Sequence, residues 1–223
     1  MAIRNIVFDV GNVLVPWDPR GIEVRAFGEA RVSAPDYTSP LRGHAIWLAV
    51  NRGEHSLNEA KALYVAEGFT AADIDALYAA LYASFPLIAE TEVMLHELKA
   101  AGYGIFAITD NVHEIVAQLK RDYDFFDQFE VAAVSAELGV LKPDPAIYRW
   151  LIDTAGIAPE ESVFLDDVQR NVDGAKSVGM KAFVFTNAAK ARGDLRSLGV
   201  DVAAASPSAG PSAGASAGAT PAA

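Results

Sequence analysis

The first fifteen residues contain the feature that most restricts the fold, an apolar run that includes a single carboxylate. Ile6, Val7 and Phe8 precede Asp9, and a Gly-Asn pair follows before apolar residues resume. A run without polar alternation predicts a strand buried on both faces, which is typical of a parallel sheet. Asp9 would then stand at the carboxyl end of the strand, where open α/β sheets bind ligands. On this segment alone, an Asx turn that merely ends the strand is an equally good interpretation.

Further along the chain, short apolar strands alternate with helices. From residue 90 onward the pattern predicts helices at about 91–101, 112–121, 145–155 and 171–178, and strands at about 105–108, 131–134, 162–165 and 182–185. In the first of these helices, Val93, Met94, Leu95 and Leu98 are expected to face a core. This alternation predicts right-handed βαβ units, and therefore an α/β fold with a parallel sheet.

Between the first strand and about residue 86 the sequence is helical in character. Asp18 before Pro19 predicts a helix start, capping boxes at Ser56 and Thr70 predict two more, and residues 41–50 have apolar side chains at helical spacing. We expect residues 16–86 to form a helical subdomain inserted into a core of residues 1–15 and 87–202. Residues 203–223 contain only Ala, Ser, Gly, Pro and Thr, a composition that predicts a disordered tail.

Composition and charge exclude several classes of function. A net charge of −11 and the absence of a basic patch argue against binding to nucleic acid, and the absence of cysteine excludes disulfides, Cys-zinc sites and thiol nucleophiles. No segment has the apolar length of a membrane span or the pattern of a signal peptide. We therefore expect a soluble cytoplasmic protein, a monomer or homodimer that does not bind membranes.

Polar residues cluster at or just after four of the predicted strands. The clusters are Asp9, Thr109 with Asn111, Lys142 after a turn, and Asp166 with Asp167. Because the carboxyl ends of parallel strands meet at one edge of a sheet, all four clusters are expected to line one crevice. This coincidence is the strongest functional signal in the chain.

These residue types suit nucleophilic attack by a carboxylate with the help of a metal ion. Asp9 would be the nucleophile and would form a covalent intermediate that water later hydrolyses. Asp9, the main-chain carbonyl of Gly11, and Asp166 or Asp167 offer the hard oxygen ligands that Mg²⁺ prefers. Thr109 can donate a hydrogen bond to a phosphoryl oxygen, and Lys142 can neutralise the charge that develops there. Gly11 is also expected to let the backbone turn sharply beside a ligand.

In their order along the chain, these motifs resemble those of the haloacid dehalogenase-like (HAD) hydrolase superfamily. The matching stretches are 8–14, 108–111, 139–145 and 164–167, with Asn171 and Gly174-Ala175, and the resemblance covers about residues 2–199. It implies a Rossmann-like three-layer core, a type I cap for the helical insertion and an Mg²⁺ cofactor. It also implies the same roles for Asp9, Thr109, Lys142 and the magnesium ligands.

One position departs from the family pattern. Most phosphatases of the superfamily have a second aspartate, the general acid and base, where this chain has Gly11. A branch that resembles bacterial sugar-1-phosphate (glucose-1-phosphate) phosphatases has the same Asp-x-Gly-Asn-Val form, and its cap matches Trp47, Arg52-Gly53-Glu54, Ser56 and Glu59-Ala60. The resemblance thus implies a small phosphorylated metabolite, a sugar phosphate, whose leaving group needs less help from an acid.

Two alternatives remain open. A metal-independent 2-haloacid dehalogenase would also use Asp9, but Asp166 and Asp167 without a cation would repel a carboxylate substrate. A non-catalytic interaction protein on the same fold is favoured only by the lost acid at Gly11. The magnesium-dependent phosphatase is the prediction that fits the residues best.

Other side chains are weaker candidates for a functional role. Asn111 and Arg52 are candidate substrate-binding residues, although a solvated surface position explains Arg52, and likewise His44, equally well. Trp47 is expected in the cap core or at its interface with the main core. Asn171 is expected to support the metal site through a hydrogen bond. Asp18 could replace the missing acid, but an N-cap explains it well.

Overall fold

A parallel β-sheet forms the core of the computed structural model, which describes residues 1–203. Its strands are β1 (Asn5–Phe8), β2 (Gly104–Thr109), β3 (Val131–Val134), β4 (Ser162–Asp166) and β5 (Lys181–Val184). The five strands lie in the order β3-β2-β1-β4-β5, and every neighbouring pair is parallel. The predicted parallel sheet is confirmed, with β1 at its centre. The predicted disorder of the tail beyond Ala203 lies outside the described residues.

Helices connect the strands and fill the insertion after β1. In chain order they are α1 (Pro19–Phe27), α2 (Glu29–Val32), α3 (Ala45–Asn51), α4 (Leu57–Ala66), α5 (Ala71–Tyr82), α6 (Ala89–Ala100), α7 (His113–Asp122), α8 (Phe125–Gln128), α9 (Ser135–Leu138), α10 (Pro145–Ala155), α11 (Gln169–Ser177) and α12 (Ala188–Ser197). A short 3₁₀ turn, Pro159–Glu161, precedes β4. None of the helices within residues 1–203 is both long and apolar enough to cross a membrane.

The sheet is covered on both faces, which explains why β1 lacks polar alternation. Successive side chains of a strand point to opposite faces. Ile6 and Phe8 pack in a cluster with residues of α6, α7 and α12, whereas Val7 packs with residues of α10 and α11. All three side chains are fully buried. The fold is therefore the three-layer α/β/α arrangement that was expected.

The segment from residue 16 to residue 86 contains α1 to α5 and no strand, as predicted. Asp18 caps α1 by accepting a hydrogen bond from the Gly21 backbone N–H at 2.9 Å, and both predicted capping boxes are present. The helix indicated by the apolar spacing of residues 41–50 begins later in the structure. Gly43 has a φ of +73°, which no α-helix accommodates, so α3 begins only at Ala45. That residues 16–86 form a separate subdomain stays a prediction.

Two sequence-based predictions of the core need correction. Met94, Leu95 and Leu98 are fully buried in α6, but Val93 is 51% exposed. At 3.6 residues per turn, Val93 and Leu95 lie nearly opposite each other, so one face cannot bury both. The helix α12 was not predicted at all. Its buried face consists largely of small residues, Ala188 and Ala191 with Leu195, which give a weak periodic signal.

Substitution of alanine for Leu98 should separate the buried from the exposed face of α6. We expect Leu98→Ala to lower the free energy of unfolding by about 2–5 kcal/mol, because it leaves a cavity in the core. The matched control Val93→Ala should change it by less than about 0.5 kcal/mol. Urea denaturation followed by circular dichroism measures both values, and equal losses would contradict the assignment of the faces.

Candidate active site

The four predicted clusters meet at the carboxyl edge of the sheet. Asp9 follows β1, Thr109 ends β2, and Asp166 ends β4 with Asp167 next to it. Lys142 reaches the same place from the segment before α10. Asp144 caps that helix by accepting from the Ala146 backbone N–H at 2.9 Å, and this local structure fixes the turn that follows Lys142.

The Lys142 ammonium group lies between two carboxylates. Its Nζ is 2.8 Å from Asp9 Oδ2 and 2.8 Å from Asp166 Oδ2, and it also donates to the Ile108 carbonyl at 3.3 Å. Burial alone would lower the pKa of Lys142, but the attraction of Asp9 and Asp166 outweighs it and raises the pKa above its ordinary value. Lys142 therefore stays protonated, as a fixed positive charge.

Asp9 is buried, and its pKa lies above the ordinary value. Burial is the largest cause that raises the pKa of Asp9, Lys142 opposes the shift, and the charge of Asp166 adds to it. Asp9 Oδ1 accepts a hydrogen bond from the Val10 backbone N–H at 2.7 Å, while Oδ2 contacts Lys142. The carboxylate at the end of β1 is thus held in one orientation.

Asn171 holds Asp166, as expected from the sequence. The Asn171 Nδ2 lies 3.1 Å from each Asp166 carboxylate oxygen, and the Val168 backbone N–H donates to Oδ1 at 2.8 Å. The other amide atom, Asn171 Oδ1, is buried and accepts no hydrogen bond from any residue that the structure describes. A buried oxygen without a donor at this point is suited to a water or cation in the site.

The tight turn after Asp9 depends on Asn12 rather than on Gly11, which corrects the expectation from the sequence. Asn12 has a φ of +55°, and asparagine adopts this left-handed conformation more readily than most residues. Its side chain donates to Asp167 Oδ2 at 2.8 Å and accepts from the Trp17 backbone N–H at 2.7 Å. A Cβ atom at Gly11 would meet only Trp17 Cβ, at an ordinary 3.6 Å.

Three aspartates form a cluster that fits a divalent cation. Asp9, Asp166 and Asp167 each offer a carboxylate oxygen, and these oxygens lie within 4.8 Å of one another. Three ionised carboxylates against the single ammonium of Lys142 leave two negative charges, which Mg²⁺ would balance. Mg²⁺ prefers hard oxygen ligands such as these carboxylates.

A cavity of about 320 Å³ opens above this cluster, between the sheet edge and the helices that follow β1. One wall is aromatic. Trp17 stacks on Trp47 with ring centroids 5.8 Å apart, and on Phe85 with centroids 6.5 Å apart. The lining also includes apolar side chains and several polar ones, among them Leu41, Leu48, Ile115, Leu141, Arg42, Asn51, Asp110, Asn111, Arg170 and Asn171.

The structure does not bring Arg52 to this cavity. Arg52 ends α3 and pairs with Glu54, and His44 caps α3 and pairs with Glu67, so neither side chain lines the cavity. Arg42 and Arg170 line it instead. Arg42 is paired with the buried carboxylate of Glu23, whose Oε2 lies 3.1 Å from Arg42 Nε and 2.9 Å from Arg42 Nη2. Nothing in the spacing of these arginines along the sequence pointed to the site.

Ser135 links this site to the helical segment. Its hydroxyl donates to the Asn51 carbonyl at 2.7 Å and accepts from the Asn111 backbone N–H at 2.9 Å. Nearby, Gly53 has a φ of +70°, and a Cβ atom there would collide with the Ala136 carbonyl. The helix α9 therefore contacts both the loop after β2 and the end of α3.

Comparison with known proteins agrees with this geometry. A family model of haloacid dehalogenase-like hydrolases matches residues 3–179. The chain belongs to this family. Among solved structures, a HAD family enzyme of Bacteroides thetaiotaomicron in complex with magnesium and inorganic phosphate has a TM-score of 0.66 to this hydrolase at 22% identity, covering 83% of this chain and 96% of that one. At such identity the likeness concerns the fold.

Curated relatives of this hydrolase include phosphatases. A sesquiterpene phosphatase of Aspergillus oryzae is 25% identical over 198 residues, which are 88% of this chain and 97% of that protein. A phosphoserine phosphatase of Thermus thermophilus is 30% identical over 99 residues, 44% of this chain and 40% of that protein. The chain spans only 17% of the length of acyl-CoA dehydrogenase family member 10 of mouse, at 27% identity over 80% of this chain.

Magnesium should stabilise this hydrolase in the absence of substrate. At about 100 times the dissociation constant, binding to the native state contributes about 2.7 kcal/mol, which raises the Tm of a chain of this size by roughly 5–10 °C. Asp167→Asn should abolish most of the rise, because it removes a carboxylate from the cluster. Asp153→Asn, an exposed position on α10, is the control. Differential scanning fluorimetry with MgCl₂ tests this, and an equal rise in the Asp167 variant would refute the assigned ligand.

Proposed function

We propose that this hydrolase is a magnesium-dependent phosphatase that acts on small phosphate monoesters through an aspartyl-phosphate at Asp9. The observation that carries the proposal is the buried Lys142 ammonium, 2.8 Å from both Asp9 and Asp166. It places a permanent positive charge beside a nucleophilic carboxylate at the floor of a cavity. A phosphoryl group bound there would be stabilised as it transfers.

Each residue of the site has a distinct role in this proposal. An oxygen of Asp9 attacks the phosphorus, and Lys142 and Thr109 bind the phosphoryl oxygens. Asn111 contributes to substrate binding from the loop after β2. Asp9, the Gly11 carbonyl and Asp167 would hold Mg²⁺, which when bound would lower the repulsion between Asp9 and the anionic substrate.

Asp166 has a different part from Asp167. It is fully buried, and its oxygens already contact Lys142, Asn171 and the Val168 backbone N–H. Asp167 lines the cavity and has one oxygen bound by Asn12. We therefore assign direct metal contact to Asp167, and the positioning of Lys142 to Asp166.

The cavity favours a substrate of modest size with one apolar face. Its volume of about 320 Å³ accommodates a sugar phosphate, and Trp17 and Trp47 give its lining aromatic surface that the C–H groups of a sugar can contact. A monophosphate of an apolar alcohol is the second candidate, because Leu41, Leu48 and Ile115 add apolar surface to the aromatic wall. The sesquiterpene phosphatase among the relatives supports this second candidate.

The other two alternatives have less support. A dehalogenase of a carboxylate substrate would have to bring a further negative charge beside three aspartates that Lys142 alone neutralises only in part. A non-catalytic role offers no reason for a lysine to be buried between two carboxylates, an arrangement with a large desolvation cost. Cytoplasmic location and a monomeric or dimeric state stay predictions from the sequence.

A substrate panel with and without Mg²⁺ tests the proposed activity. Wild type should release phosphate from 4-nitrophenyl phosphate, and faster from one of several sugar phosphates or from farnesyl phosphate, only when Mg²⁺ is present. Asp9→Asn should release phosphate at least about a thousandfold more slowly, because no carboxylate remains to form the intermediate. Chloride release from 2-chloropropionate without metal would establish the dehalogenase, and inactivity towards every compound would leave the non-catalytic class.

Replacement of Trp47 tests the aromatic wall. Trp47→Ala should raise the KM for the preferred substrate about tenfold or more and change kcat less, because the lost contact is made with the leaving group in both ground and transition states. Trp150→Ala, a partly exposed tryptophan on α10 outside the cavity, is the matched control. A fall in kcat with unchanged KM would argue against a substrate-binding wall.

A further inference from the structure

The proposed reaction needs a proton donor for the leaving group, and Gly11 provides no side chain for that purpose. Phosphate monoesters of ordinary alcohols leave poorly as alkoxides, so a general acid is worth about 10²–10⁴ in rate. The donor must line the cavity above Asp9 and must be able to lose and regain its proton.

Most of the cavity lining cannot perform this step. Asparagine, tryptophan and aliphatic side chains have no proton to exchange near neutral pH, and arginine does not deprotonate in proteins. Lys142 is held protonated by two carboxylates. Neither His44 nor Asp18 lines the cavity. Among the lining residues that the structure describes, this leaves three carboxyl groups: Asp9, Asp167 and Asp110.

Asp110 is the one of these three that stands outside the metal cluster. Asp9 is the nucleophile, and Asp167 belongs to the cluster that fits a cation. Asp110 follows directly on β2, and its Oδ1 accepts a hydrogen bond from the Lys142 backbone N–H at 2.9 Å. This bond fixes one oxygen of the half-buried carboxyl group, and Asp110 lines the same cavity as Asp9.

We propose that Asp110 is the general acid and base of this hydrolase, in place of an acid at Gly11. This inference rests on the proposed phosphatase activity. As an Asp9 oxygen bonds to phosphorus, the ester P–O bond breaks, and its electron pair stays on the leaving oxygen, which takes the proton of Asp110. Asp110 is then a carboxylate. The oxygen of a water molecule then bonds to phosphorus, the P–O bond to Asp9 breaks with its electron pair left on Asp9, and the water gives a proton to Asp110. Inorganic phosphate is released, Asp9 is again a carboxylate, and Asp110 is again protonated.

The surroundings of Asp110 suit a carboxyl group that carries a proton. Burial raises its pKa above the ordinary value, and the charge of Asp166 adds to the shift. Lys142 and Arg170 oppose it without cancelling it. A neutral Asp110 also avoids the repulsion that a further carboxylate would exert on a bound phosphate.

The test compares two leaving groups in Asp110→Asn. Asparagine retains an oxygen that can accept from the Lys142 N–H, so the local fold is preserved while the transferable proton is lost. We expect kcat/KM to fall at least 100-fold for a phosphate ester of an unactivated aliphatic alcohol, such as a sugar phosphorylated on its primary hydroxyl. For 4-nitrophenyl phosphate, whose leaving group needs no protonation, it should fall less than about fivefold. Asp153→Asn is the control and should change neither value.

A pre-steady-state measurement separates this role from a structural one. With 4-nitrophenyl phosphate, Asp110→Asn should show a burst of 4-nitrophenol equal to the enzyme concentration, followed by slow turnover, because hydrolysis of the aspartyl-phosphate lacks its base. Equal losses for the two esters, or no loss for either, would overturn the assignment of Asp110. If wild type hydrolyses neither ester, the proposed function fails, and the role of Asp110 fails with it.

Discussion

The active site depends on one lysine ammonium that two aspartates share in a buried position. Such an arrangement loses the hydration of three charged groups, and it is stable only where the geometry and further hydrogen bonds compensate. The fold provides both. Adjacent parallel strands β1 and β4 place Asp9 and Asp166 side by side, the Asn171 amide holds Asp166, and the Val10 N–H holds Asp9. The capped start of α10 fixes the turn that carries Lys142 into the gap. The charge left over after this pairing is what makes the site fit for a divalent cation.

Much of the core could be predicted from the sequence, because its signals are local. A strand buried on both faces has no polar alternation, and Ile6 to Phe8 show this directly. Capping boxes at Ser56 and Thr70 are short patterns that determine where a helix begins. The errors have equally plain causes. Val93 was grouped with its neighbours in the sequence although the helical turn places it on the outside, and α12 buries mainly alanines, whose small side chains give little periodic contrast.

The floor of the site was predictable for a related reason, whereas its walls were not. The carboxyl ends of parallel strands lie at one edge of the sheet regardless of the conformation of the loops. Asp9, Thr109 and Asp166 could therefore be grouped from the order of the strands and helices along the chain alone. The lining contributed by the segment between β1 and α6 depends on packing between residues distant in sequence. Arg42 reaches the cavity because buried Glu23 holds its guanidinium, and Arg52, ten residues later, is turned towards Glu54. No spacing rule distinguishes these two arginines.

The hydroxyl of Ser135 connects the loop after β2 to the end of α3. It contacts the Asn51 carbonyl and the Asn111 N–H together, and the Gly53 backbone lies against Ala136 in the same short helix. Loss of the bond to Asn51 would cost a net of about 0.5–1.5 kcal/mol, because the hydroxyl has a second acceptor in the Asn111 carbonyl at 3.3 Å. Trp47, Leu48 and Asn51 of α3 line the cavity, so this contact sets the position of one cavity wall relative to the loop that carries Asp110 and Asn111.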